Sequence, residues 1–220
     1  EREITDQDRL TLLTKDNDAY NRWDASQQLM LASFEKIAIQ KQEPNDELIN
    51  AFCQIMQDQK IMPAFRAQLL SQPSISEIIA HFFENNLPID PEMIYTAKKI
   101  FSQKLAESSN QFLEQLFHSL TQNVKYEPSA DQAGERSLKN ILLGLRTRVD
   151  NGESSRKQFA RADNMTDEVA ALSVLIQNDL VSTEIDSFYE RWADDRLVID
   201  KWFMLQTSLS QPSKSLEITK

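Results

Sequence analysis

Apolar residues recur at steps of three and four along nearly the whole chain, and glycine occurs only three times in 220 residues. That periodicity gives successive segments one greasy face each and predicts helices rather than strands. Asp18 is placed to cap a long helix whose Tyr20, Trp23, Met30, Phe34 and Ile37 share a stripe. The next restarts at Asn45 and turns Leu48, Ile49, Phe52 and Met56 inward. Pro63 stands in the first turn of a short helix, where its missing N–H costs nothing. Ser74 and Glu77 have the spacing of a capping box. Asp90 is a cap with Pro91 at the first helical position, and "SNQFLEQLFHSL" reads as a further amphipathic helix. Pro128 and "PSADQAGE" mark a turn before the helix "RSLKNILLGLRTRV". "DNGESS" then leads to a short helix through Phe159. Further helices are predicted from Asn164, from about Thr183 and over "VIDKWFMLQTSL".

The connections are short and none resembles a flexible Gly/Ser linker, so residues 16–220 form one continuous helical domain. Arg136, Asp167 and Lys201 each read as standing just inside a helix start, 31 and then 34 residues apart. That is the period of one helix–turn–helix unit. The expected fold is therefore all-α: a superhelical stack of antiparallel helix hairpins of the HEAT or armadillo kind, with about 11 helices. The beginning is the exception. "DRLTLLTKD" is short, rich in Thr and Leu and closed by a turn cluster, so a short strand or lead-in segment is expected within residues 1–15.

The stretch "DNMTDEVAALSVL" is polar at its start and apolar afterwards. Asn164 is placed to cap a helix, with Asp167 three residues later in an approximate capping box. Met165, Val169, Leu172 and Ile176 step along one face, while Ala170, Ala171 and Ser173 keep the neighbouring face thin enough for close helix approach. Cap and stripe account for the segment without a ligand.

Charge narrows the function. Lys plus Arg is 24 against 34 for Asp plus Glu, a net charge of −10, which disfavours nucleic acid and anionic membranes as partners. No uncharged run approaches the roughly 20 residues that cross a bilayer. The first residues, "EREITDQDRL", have neither the basic leader nor the apolar core of a signal peptide, although a chain opening on Glu1 is expected to be a piece of a longer one. Cys53 is the single cysteine; no internal disulfide is possible, which fits a reducing, cytoplasmic compartment, and its apolar neighbours make it a buried small hydrophobe.

Candidate chemistry is sparse. His81 and Glu84 share a helical face in "HFFE", but no H-E-x-x-H is present, and His81 and His118 read as partly buried, hydrogen-bonded imidazoles. Gly134, Gly144 and Gly152 are too dispersed for a phosphate loop, and no G-x-S-x-G elbow occurs. Trp23, Trp192 and Trp202 lie in helical apolar patterns and read as core. The residues alone offer no catalytic, cofactor-binding or metal-binding site. A negative field drawing in the protonated amino ends of peptides is a further reading of the acidic balance, with solvated outer faces as the simpler one.

Three blocks carry a resemblance: "DNDAYNRWDASQQL" (16–29), "ADNMTDEVAALSVL" (162–175) and "LVIDKWFMLQTSL" (197–209). They resemble the C-terminal helical domain of bacterial aminopeptidase N, of the gluzincin zinc peptidases, and the resemblance extends more weakly between them. It implies that residues 1–15 are the tail of a preceding β-sandwich domain or a linker, with a strand over 8–14. It further implies a full-length zinc aminopeptidase that removes N-terminal amino acids from peptides. Zinc and the catalytic groups would be held by an absent upstream domain, this segment would be inactive alone, and its partners would be the remaining domains and peptide substrates. In that family the helical domain closes over the catalytic cleft and admits short peptides. "SLEITK" reads as the first turn of another helix, so the domain is expected to be truncated at its C-terminal end, with the apolar stripe of its last helix partly exposed. The competing expectation is a free-standing helical scaffold for protein–protein binding.

Overall fold

The computed structural model describes residues 4–120 and 126–210. Eleven α-helices follow one another among them: α1 (Asp6–Lys15), α2 (Ala19–Gln40), α3 (Asp46–Gln57), α4 (Pro63–Leu70), α5 (Ile75–Glu84), α6 (Pro91–Ser119), α7 (Ala130–Val149), α8 (Glu153–Arg161), α9 (Met165–Gln177), α10 (Glu184–Trp192) and α11 (Arg196–Leu209). No strand occurs among the described residues. The expected all-α stack is what forms.

Local chemistry sets most helix starts. Asp18, Asn45, Asp90 and Asn164 each accept a first-turn N–H with the side chain, and Ser74 and Glu77 close a reciprocal capping box. Pro63 and Pro91 occupy first helical positions. Between α7 and α8 the chain reverses through Gly152, which adopts φ 83°. A β-carbon there would be strained and would meet Leu175 Cδ2 at 3.1 Å, so this turn needs glycine.

Three expectations about elements are corrected. Residues 8–14 are not a strand: they lie in α1, started by a capping box of Thr5 and Asp8. Thr and Leu alternate loosely enough to suggest a strand, but Leu10 and Leu13 share a helical face that packs on α2, and Leu13 is fully buried. "SNQFLEQLFHSL" is not a separate helix but the last part of α6, which runs 29 residues. Ser109, a polar residue in mid-helix, is buried and returns its hydroxyl to Leu105 O at 2.7 Å, so the helix continues through it. The helix predicted from Arg136 starts six residues earlier, capped by Ser129. Arg136 and Lys201 therefore stand in second turns rather than at helix starts. The period survives in the caps instead, since Ser129, Asn164 and Asp195 are 35 and then 31 residues apart. "SLEITK" lies outside the described residues.

The core is continuous. Phe34, Phe52 and Phe101 meet edge to face where α2, α3 and α6 cross. α7 is the central helix of the second half, packing on α4, α6, α8 and α9, with Leu138, Leu142 and Leu143 completely buried. Each fully buried Leu or Phe contributes about 1.5–3 kcal/mol over exposure, which explains how helices as short as α4 and α8 hold their places. α10 and α11 close the described stack against α9.

Burial departs from the predicted stripes at two places. Met30, Phe34 and Ile37 of α2 are buried, but Tyr20 is 67% exposed and Trp23 37% exposed, the two rings resting against each other 5.8 Å apart. On α9 the fully buried face runs through Ala171, Leu172 and Leu175, and Met165 and Val169 are half-buried at its margin. The last helix is partly exposed as expected: Leu197, Phe203 and Met204 face outward, Trp202 is half-buried, and Val198 and Leu205 are buried.

Candidate functional site

Where the last turns of α6 meet α7, α8 and the link into α9, the surface folds inward to a cleft of about 600 Å³. Its wall carries Arg136, Lys139, Arg146, Lys157 and Arg161 against Glu114, Glu135, Asp150, Glu153, Asp163 and Asp167. Positive and negative side chains nearly balance along this wall.

Each charge is placed by its helix. Lys139 and Asp167 form a buried pair, Nζ to Oδ2 at 2.5 Å, joining α7 to α9. Asn140 and Asn164 donate side-chain N–H groups to the same carboxylate at 3.1 Å. Asn164 caps α9 through Asp167 N at 3.0 Å, but the Asp167 carboxylate points to α7, so the approximate capping box is not formed. Gln158 of α8 donates to both Asn140 Oδ1 and Asp167 O, locking three helices together. Beside it Glu168, also buried, takes Arg191 and the Trp192 indole N–H from α10. The sequence reading gave Asp167 only a capping role and passed over Glu168. A signal did exist, because two adjacent acids at 167 and 168 precede an apolar run whose inner face includes both.

At the cleft mouth Lys157 pairs with Glu153, and that hydrogen bond holds the Glu153 carboxyl below its ordinary pKa. Asp150 accepts from Gly152 N and Ser154 N, both at 3.0 Å, and so caps the start of α8. Arg146 faces Glu114 at 3.6 Å and Asp150 at 3.8 Å, and its Nε is buried without a hydrogen-bond partner. The recess can therefore hold a polar, charged group; it shows no cysteine, and its one histidine is His118.

His81 lies elsewhere and is half-buried, with Nε2 3.0 Å from Glu35 of α2 rather than joined to Glu84. The reading of His81 as a partly buried, bonded ring holds. For His118 the burial does not hold: the side chain is 67% exposed, 3.7 Å from Glu114, because position 118 turns away from the buried Phe117. Cys53 is buried, and burial pushes its thiol pKa up, which makes it a poor nucleophile. Among the described residues no group of three or more His, Cys, Asp or Glu side chains is placed to hold a metal ion.

Fold and cleft together define a helical-repeat protein: a stacked wall with a charged recess in one flank. The chain belongs to the family described as "Domain of unknown function (DUF3458_C) ARM repeats", which matches residues 6–220. Aminopeptidase N of Escherichia coli (strain K12) is 29% identical over 218 residues, covering 93% of this chain and 24% of that protein. Aminopeptidase N of Caulobacter vibrioides is 28% identical over 206 residues, covering 90% of this chain and 23% of that protein. The crystal structure of Legionella pneumophila aminopeptidase A in complex with aspartic acid shares the fold, with a TM-score of 0.82 at 24% identity over 99% of this chain and 27% of that one. The resemblance to the C-terminal helical domain of bacterial aminopeptidase N is upheld, and the chain spans about a quarter of the length of these relatives.

Proposed function

We propose that this chain is the non-catalytic helical domain of a zinc-dependent aminopeptidase that removes N-terminal amino acids from peptides. In this reading the helical stack covers the catalytic cleft and limits access to short peptides. The observation that carries it is the match of 93% of the chain to about a quarter of aminopeptidase N. The donor chemistry accords with a supporting role. His81 is engaged by Glu35, Cys53 is buried, and the described carboxylates pair with cations, cap helices or stand apart from any metal set. In this reading the zinc ion and the water it activates are held by another part of the polypeptide. The partners are then the remaining domains and peptide substrates. No helix among the described residues is long and apolar enough to cross a membrane, and a cytoplasmic location accords with the single cysteine.

The test begins with the reading frame upstream of Glu1 and continues with the protein it encodes. The reading expects an H-E-x-x-H motif there and zinc-dependent hydrolysis of aminoacyl anilides, with rates that fall as peptide substrates lengthen and vanish for folded proteins. A nearby start codon without that motif would instead assign a free-standing scaffold.

A further inference from the structure

The cleft between α6, α7 and α8 contains an arginine with one N–H buried and unpartnered. The Arg146 side chain is only 13% exposed. Its Nε is buried without a hydrogen-bond partner, and its Nη2 meets the carboxylates of Glu114 and Asp150 only at 3.6 and 3.8 Å, as ion pairs beyond hydrogen-bond reach. A guanidinium carries five N–H donors in a planar fork, and leaving such a group unsatisfied in a recess is costly. Across the same cleft, Gln158 Oε1 is also buried without a partner, while its amide nitrogen is fully engaged by Asn140 and Asp167. Three neighbouring cations are committed elsewhere, Lys139 to Asp167, Lys157 to Glu153 and Arg136 to Gln132 and the Tyr126 ring, and the fourth, Arg161, is exposed at the end of α8.

We propose that this cleft is a binding site for a carboxylate, seated on the Arg146 guanidinium. The fork of Arg146 matches the two oxygens of a carboxylate. Of the two acids already near it, Asp150 is fixed by the α8 backbone, whereas Glu114 is 60% exposed and reaches Arg146 from the rim. An incoming carboxylate displaces Glu114 to solvent and takes its place at shorter range. Charge selects the ligand class. With Glu114 and Asp150 close by, a singly charged, planar acid is accommodated, while a doubly charged phosphate meets greater repulsion. The volume of about 600 Å³ lies within the range of small-ligand pockets and leaves room for more than the carboxylate itself. The carboxylate comes either from a peptide C-terminus or from a small free acid.

Calorimetric titration of the intact protein distinguishes these sources. The probes are N-acetyl-dialanine, its C-terminal amide, acetate and inorganic phosphate; blocking the amino end keeps the peptide from any site that reads a free amine, so the result does not depend on the peptidase reading. Saturable binding of N-acetyl-dialanine is expected, weakened at least tenfold by amidation and by Arg146→Gln. Arg146→Lys, which keeps the charge without the fork, should recover only part of it, with circular dichroism confirming that both variants fold. Binding of acetate as tight as that of the dipeptide assigns the site to small free acids, and tighter dipeptide binding assigns it to peptide ends. Absence of carboxylate binding, tighter binding of phosphate, or affinity unchanged in a folded Arg146→Gln protein would overturn the proposal.

Discussion

Lys139 of α7 and Asp167 of α9 form a buried ion pair, 2.5 Å from nitrogen to oxygen, with side chains 12% and 8% exposed. Asn140, Asn164 and Gln158 surround it, so one carboxylate organises the junction of α7, α8 and α9. Removing one partner leaves the other charge desolvated and alone. Asp167→Ala should therefore lower stability by about 3–5 kcal/mol. Replacing both residues by apolar ones of similar volume should cost much less. Urea denaturation of the single and double variants checks this, and a loss below about 1 kcal/mol in the single variant would show that the pair is not structurally important.

Gly134 lies inside α7, where alanine normally gains about 1 kcal/mol over glycine. Here a β-carbon would sit 3.1 Å from both the backbone nitrogen and Cβ of Ala64 in α4. Backbone cannot move aside as a side-chain tip can, so Gly134→Ala should destabilise, by roughly 1–3 kcal/mol. Thermal melting settles the sign. A raised melting temperature would show that α4 and α7 are not in this close approach.

Lys98 gives a pH signature. Burial pulls its pKa down from 10.5 to about 8, partly opposed by Glu77, while Nζ donates to Pro73 O at 2.6 Å. Between pH 8 and 10.5 the unfolded chain binds more protons at this position than the folded one, so folding stability should rise with pH across that window. Lys98→Met should flatten the rise. The check is unfolding free energy measured from pH 7 to 10.5 in both proteins, and identical slopes would contradict the burial of the ammonium.

The last helix separates packing from exposure. Trp202 is half-buried and donates its indole N–H to Ile185 O at 3.0 Å, Leu205 is buried, and Phe203 is 56% exposed. Leu205→Ala should cost about 2–5 kcal/mol. Trp202→Ala should cost about 2 kcal/mol, below the range for a fully enclosed ring. Phe203→Ala should fall within roughly 0.5 kcal/mol of the parent. Equal effects of all three in denaturant melts would mean that α11 is packed differently.

What was legible in the sequence follows the range of the interactions. Asp18, Ser74 and Asp90 act on N–H groups two or three residues away, so the sequence alone reveals their roles. Asp167 and Glu168 bind partners 28 and 23 residues distant, and only the folded stack brings these together. Gly134 read as a turn marker because its real cause, the nearness of Ala64, is tertiary. Tyr20 and Trp23 obeyed the helical period yet stay exposed, since periodicity says which residues share a face but not whether that face is covered. The cleft was invisible for the same reason: its walls come from three helices and a link separated along the chain.

The central claim is that this chain is a supporting wall and that the reacting centre lies outside it. The most direct measurement is an assay of the purified 220-residue chain for zinc content and for turnover of an alanyl anilide, beside the longer protein in which the proposal places it. The account predicts zinc and activity in the longer protein and neither in the chain alone. Stoichiometric zinc and zinc-dependent turnover by the chain itself would contradict it.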